Sequence, residues 1–119
     1  MPSKIQTLRR KAFDHQDGRC WYCGVHMWLA SPDELSVARR SGLSRLRCTA
    51  EHLVPRASGG RDAPENVVAA CLHCNCTRHR RRAPPEPTAY RSEVMRRTRR
   101  EGWHPAWVFR LGLCATAEK

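Results

Sequence analysis

The sequence predicts a small α+β domain whose centre is clamped by metal-bound cysteines. Three observations carry that reading. Two CxxC pairs, Cys20/Cys23 and Cys71/Cys74, have 47 residues between them; two short apolar segments are bounded by breakers; and segments with helix caps lie on both sides of them. The 119 residues suit one domain, 1–119, with a core over about 18–83 and a basic helix and apolar tail over 84–119. A chain this short buries only about two-thirds of its unfolded surface. A metal clamp is therefore a natural supplement to its modest core.

Each element has a local reason. Ser3-Lys4-Ile5-Gln6 forms a capping box that opens a helix to about Gln16, where Asp17-Gly18 ends it. Cys20-Trp21-Tyr22-Cys23-Gly24 is a tight turn, followed by a short apolar piece, Val25 to Leu29. Ser31-Pro32-Asp33-Glu34 supplies an N-cap, a proline at the first helical position and acids behind it, predicting a short helix to about Ser41. Leu46 to Val54 reads as a strand ended by Pro55, and Arg56 to Asn66, with Gly59-Gly60 and Pro64, as a loop. Val67 to Ala70 is a second strand. Asn75 to Arg82 is a helix that Pro84-Pro85 terminates, and Thr88 to Arg100 is another, ended by Gly102. The apolar tail, Trp103 to Leu113, is expected to pack back on the core.

Charge narrows the function classes. There are 22 Lys+Arg against 11 Asp+Glu, a net +11, and all but three of the basic residues are Arg. Arginine makes bidentate contacts to phosphate that lysine cannot, and such a balance points to nucleic acid or another anionic surface. The densest runs are Arg78-His79-Arg80-Arg81-Arg82 and Arg96-Arg97-Thr98-Arg99-Arg100. Both read as phosphate contacts, with a solvated helix face as the plainer alternative. The longest clean apolar run, Val67 to Leu72, is far short of the ~18 residues of a membrane span. Met1 to Phe13 lacks the apolar stretch of a secretory signal. A cytoplasmic, reducing setting is expected, in which paired cysteines are metal ligands before they are disulfides.

Two residues between cysteines let both thiolates of a turn reach one ion. Two such turns supply four soft ligands in a tetrahedron, which suits a structural Zn²⁺ with no open position. A redox CxxC and free core thiols are the alternatives. Cys48, Cys76 and Cys114 remain as small buried side chains, with Cys76 able to replace Cys71 in another ligand set. Everything between the two pairs becomes one loop fixed at both ends, and that loop holds the polar residues.

Those residues are Glu51-His52-Leu53-Val54-Pro55, the Gly59-Gly60 loop, Asn66-Val67-Val68 and Cys71-Leu72-His73-Cys74-Asn75, with basic residues after them. A His beside an acid in a clamped, basic domain is a candidate general base beside a candidate hard-metal ligand, although a histidine satisfied in the core fits the same facts. From Cys20 to Arg82 the chain resembles the HNH endonuclease family. The resemblance implies a ββα-metal fold, in which the two strands are crossed by the Asn75 helix. It implies that His52 deprotonates the attacking water and that Asn66 holds the loop and orients His52. It also implies that Glu51 and Asn75 coordinate a catalytic Mg²⁺ or Mn²⁺, separate from the zinc. His79, one turn beyond Asn75, is a further candidate ligand, which would favour another divalent transition metal; it is equally part of the basic run.

The implied reaction is hydrolysis of DNA phosphodiesters, leaving 5′-phosphate and 3′-hydroxyl ends. Arg56, Arg61, Arg78, Arg80, Arg81, Arg82, Arg96, Arg97, Arg99 and Arg100 are the candidate DNA contacts. The rival reading is a zinc-stabilised nucleic-acid-binding module without catalysis. A place in a larger phage or restriction-type protein complex, encoded by a bacterium or phage, is compatible with either. Neighbouring strand residues face opposite ways, so Glu51 and His52 share a site only where the strand ends or bulges.

Overall fold

The computed structural model describes residues 1–115; the last four residues of the 84–119 segment lie outside the described residues. Four α-helices and one two-stranded sheet make up its regular structure: α1 Lys4–His15, β1 Cys48–His52, β2 Val67–Cys71, α2 Leu72–His79, α3 Pro87–Arg99 and α4 Ala106–Arg110. The strands are antiparallel, with Cys48 opposite Cys71 and His52 opposite Val67. This is a small mixed α/β fold of the ββα-metal type, as the sequence predicts.

The capping box of α1 forms: Gln6 N donates to Ser3 Oγ at 3.2 Å and Ser3 N to Gln6 Oε1 at 2.8 Å. At the other end of α1, Gln16 mimics a strand. Its side chain accepts from Ala69 N at 3.0 Å and donates to Ala69 O at 2.9 Å, covering the open edge of β2.

The strand β2 runs straight into α2. Cys71 ends the strand, and its Sγ accepts from Cys74 N at 3.4 Å as the helix cap. The helix therefore begins at Leu72, three residues before the predicted start at Asn75, and stops at His79. Arg80, Arg81 and Arg82 lie beyond it and are exposed. Two other expectations are corrected. The helix predicted from Ser31 to Ser41 is one 3-10 turn, Pro32–Leu35. Ser36 ends that turn in a left-handed conformation, and in Ser36 to Gly42 Val37 and Ala38 are too little apolar surface to hold further turns. The strand predicted from Leu46 begins at Cys48, because Leu43 and Leu46 bury together from a 3-10 turn of their own.

α3 docks through Tyr90. Its ring meets Tyr22 edge-on, centroids 4.9 Å apart, and its hydroxyl donates to Cys74 O at 2.8 Å. The tail folds back with Val108, Leu113 and Cys114 in the core. Cys48 and Cys114 are buried as expected; Cys76 is exposed and away from the cysteine cluster, so Cys71 keeps its place there.

Candidate active site and metal centre

Cys20, Cys23, Cys71 and Cys74 converge with all four sulfurs within 4.8 Å of one another, and all four side chains are buried. Cys23 Sγ and Cys71 Sγ are 3.9 Å apart. Sulfurs placed tetrahedrally around zinc at about 2.3 Å stand about 3.8 Å apart, so the cage fits the ion. Its electrostatics call for a cation. Burial, then the Cys20 sulfur, push the Cys23 and Cys74 thiols well above their ordinary range. Burial also opposes ionisation of Cys20, yet hydrogen bonds with Cys23, Cys71 and Cys74 outweigh it and lower that thiol. A dication at the centre of the four sulfurs is what lets buried thiols ionise together. Among the described residues, it is the one convergence of three or more His, Cys, Asp or Glu ligand atoms.

A second polar cluster lies where β1 meets α2. Glu51 is 1 % exposed, and its Oε2 accepts from Tyr22 Oη at 2.8 Å and from Arg78 Nη1 at 2.7 Å. Its other oxygen, Oε1, lies 2.9 Å from His79 Nε2. Burial, then the Glu51 charge, push the Tyr22 hydroxyl far up, so it stays a donor. Arg78 spends its remaining donors on backbone: His52 O at 3.3 Å, Leu53 O at 3.2 Å and Pro85 O at 3.0 Å.

His52, the last residue of β1, turns away from Glu51 to the loop, where its Nε2 lies 2.8 Å from Asp62 Oδ1. Arg56 grips the same carboxylate through Nε at 3.2 Å and Nη2 at 3.1 Å. Hydrogen bonds from His52, then Arg56, hold the Asp62 carboxyl below its ordinary range. Asn66 clasps the loop. Its Oδ1 accepts from Val54 N at 2.8 Å, and its Nδ2 donates to Val54 O and Arg61 O, each at 3.0 Å. Gly60 makes the loop's closure possible, since a Cβ there would fall 1.7 Å from Val54 O.

Residues 39–81 match the family model described as HNH endonuclease. Over that segment the chain is similar to the HNH family. Neither a curated protein nor a solved structure matches the chain. The HNH segment runs from ahead of β1 to just past α2; it holds Cys71 and Cys74 and leaves out Cys20, Cys23 and everything after Arg81.

Within the HNH segment several residues have surroundings the sequence did not suggest. Asn75 directs its Nδ2 to Thr49 Oγ1 at 3.0 Å and Ala50 O at 3.3 Å, tying α2 to β1. Arg78, read as a phosphate contact, is 2 % exposed with its donors committed inside the protein, because an unpaired Glu51 at this depth would be costly. Arg56, Arg61, Arg80, Arg81, Arg82, Arg96, Arg97, Arg99 and Arg100 are exposed. Of these, Arg56 holds Asp62, while Arg97 pairs with Glu93 at 3.1 Å. Sequence reasoning missed Asp62, whose only signal is its place two residues after the Gly-Gly turn. It also missed the Tyr22 hydroxyl, hidden inside a zinc turn, and the tail residues that reach the sulfurs.

Proposed function

We propose that the chain is a metal-dependent endonuclease that hydrolyses DNA phosphodiester bonds, with His52 as the general base. The single observation that carries this reading is the placement of His52 at the end of β1. Asp62 lies on one ring nitrogen, Asn66 clasps the loop that follows, and the preceding residue, Glu51, is paired with His79. With Asp62 accepting from Nε2, Nδ1 is left to take a proton from water aligned behind the phosphorus. Asn66 acts on His52 through the backbone it holds.

Glu51 Oε1 and His79 Nε2 would be the donors that hold the catalytic ion. Their 2.9 Å separation is close to the edge of an octahedron with ligands at about 2.1 Å, about 3.0 Å. A nitrogen ligand favours Mn²⁺ or another transition metal over Mg²⁺. Bound there, a divalent ion supplies charge neutralisation at the phosphoryl oxygen and the leaving 3′-oxygen. Asn75 would have only its Oδ1 to offer such an ion, since its amide nitrogen is spent on β1. The exposed arginines after α2 and at the end of α3 bind the DNA backbone. The products are 5′-phosphate and 3′-hydroxyl ends.

One observation favours the non-catalytic alternative: the buried Arg78 already neutralises Glu51, as a purely structural ion pair would. The test is nicking of supercoiled plasmid by zinc-loaded protein with Mg²⁺ or Mn²⁺, comparing wild type with His52→Ala. Cleavage lost in the variant supports the nuclease. Absence of cleavage in wild type with tight DNA binding supports the binding module.

A further inference from the structure

The four sulfurs divide into two pairs by what donates to them. Backbone amides serve one pair: Cys20 Sγ accepts from Tyr22 N at 3.4 Å and Cys71 N at 3.3 Å, and Cys71 Sγ accepts from Cys74 N. Side chains from the tail serve the other. Trp103 Nε1 donates to Cys74 Sγ at 3.2 Å, and His104 Nε2 lies 3.3 Å from Cys23 Sγ.

The far side of the imidazole assigns its proton. Arg45 Nε donates to His104 Nδ1 at 3.2 Å, and a guanidinium has only donors. Nδ1 is therefore the acceptor, and Nε2 carries the hydrogen toward Cys23. Arg45 Nη2 also donates to Trp103 O at 3.1 Å, so one arginine positions both tail residues. The backbone shows the same constraint. Trp103 has φ +77°, a left-handed conformation that a bulky residue adopts only when its surroundings hold it there. His104 is 6 % exposed.

We propose that Arg45, Trp103 and His104 form an outer hydrogen-bonding layer of the zinc centre, positioning residues that keep the metal from leaving. Four thiolates around a dication carry two negative charges in excess. Backbone donors answer two of the sulfurs, and this layer answers the other two, with the Arg45 charge behind it. Trp103 and His104 lie outside the HNH segment, so the tail completes a metal site begun elsewhere in the chain. Neither catalysis nor DNA enters this role, and its test reads neither.

The experiment uses the full, zinc-loaded chain and measures the rate of zinc transfer to an excess of the chromophoric chelator 4-(2-pyridylazo)resorcinol. Trp103→Phe keeps the ring and removes the N–H; His104→Phe does the same for the imidazole. Each should still bind one zinc and release it about 10–100-fold faster. His104→Gln, which retains an N–H donor, should recover most of the loss. Arg45→Met should by itself speed release, because it frees both Trp103 and His104. In the Co²⁺-substituted protein, losing a donor to a thiolate should move the sulfur-to-cobalt charge-transfer band to lower energy, which a change in packing alone would not do. Trp103→Phe, the mildest change, keeps the test decisive if His104→Phe folds poorly. Zinc release within twofold of wild type in Trp103→Phe, with an unmoved charge-transfer band, would overturn the proposal; so would His104→Gln releasing zinc as fast as His104→Phe.

Discussion

The Arg78 guanidinium sits 2.7 Å from the Glu51 carboxylate, and each side chain is 2 % exposed. This pair joins the end of β1 to α2, and through the His52 and Leu53 carbonyls it fixes the backbone that carries His52. Removing one partner of a buried ion pair strands the other charge and costs about 3–5 kcal/mol. Arg78→Met and Glu51→Gln should each lose stability on that scale in denaturant unfolding of the zinc-loaded protein. The double variant should lose clearly less than the sum of the two. Additive losses would mean that the two side chains do not depend on each other.

Zinc ligation should dominate the folding energy. Structural zinc supplies of order 10 kcal/mol in small domains, and the four sulfurs here are buried together. Native mass spectrometry should show one tightly held Zn²⁺. Cys23→Ser should be insoluble or unfolded, and chelator-treated wild type should lose its cooperative melt. A metal-free chain that melts cooperatively would sink the zinc clamp.

Loss of the base and loss of the metal should be separable. His52→Ala should keep its zinc and its DNA affinity while hydrolysis falls ~10²-fold or more. His79→Ala should also fall, but raising Mn²⁺ should restore part of its rate, which it should not do for His52→Ala. Glu51→Ala is the poorer probe, since it also leaves Arg78 uncompensated in the interior. Equal rates for wild type and His52→Ala would point to a contaminating nuclease.

DNA affinity should be steeply salt-dependent, losing about 0.9 log units per phosphate contact for each log unit of salt. Arg80, Arg81 and Arg82, all exposed just past α2, are the strongest candidates. Replacing the three by Gln should weaken binding on every sequence and flatten the slope, measured by fluorescence anisotropy across a salt series. Arg78 belongs outside that group because its donors face inward. An unchanged slope would return the three to the role of a solvated face.

The Asp62 carboxyl should titrate below its ordinary value of 3.8, held there first by His52 and then by Arg56. A carboxyl lowered in the folded state contributes stability that is present above its unfolded value and lost as pH falls through the folded one. The loop contacts of Asp62 should therefore be intact at pH 4 to 5 and open only on stronger acidification. In a carboxyl NMR titration, His52→Ala should raise the Asp62 midpoint toward 3.8, and Arg56→Gln should raise it less. A midpoint indifferent to both would mean that these contacts are not populated in solution.

The sequence by itself determined what is local. A capping box, a CxxC turn and a proline stop act within a few residues, so α1, the two sulfur-bearing turns and the two-stranded frame were legible. Leu72, His73 and Cys74 as the first turn of α2 were missed because a cysteine cap is not a usual helix signal; Cys71 caps the helix only because it also ends β2. The polar partnerships were decided by the tertiary structure alone. Glu51 meets Arg78 across 27 residues and Tyr22 across 29, and Cys23 meets His104 across 81. No periodicity encodes such distances. They exist because the fold brings together groups whose charge or hydrogen-bonding capacity has no other outlet once water is excluded, and the cost of leaving them unpaired selects the partner.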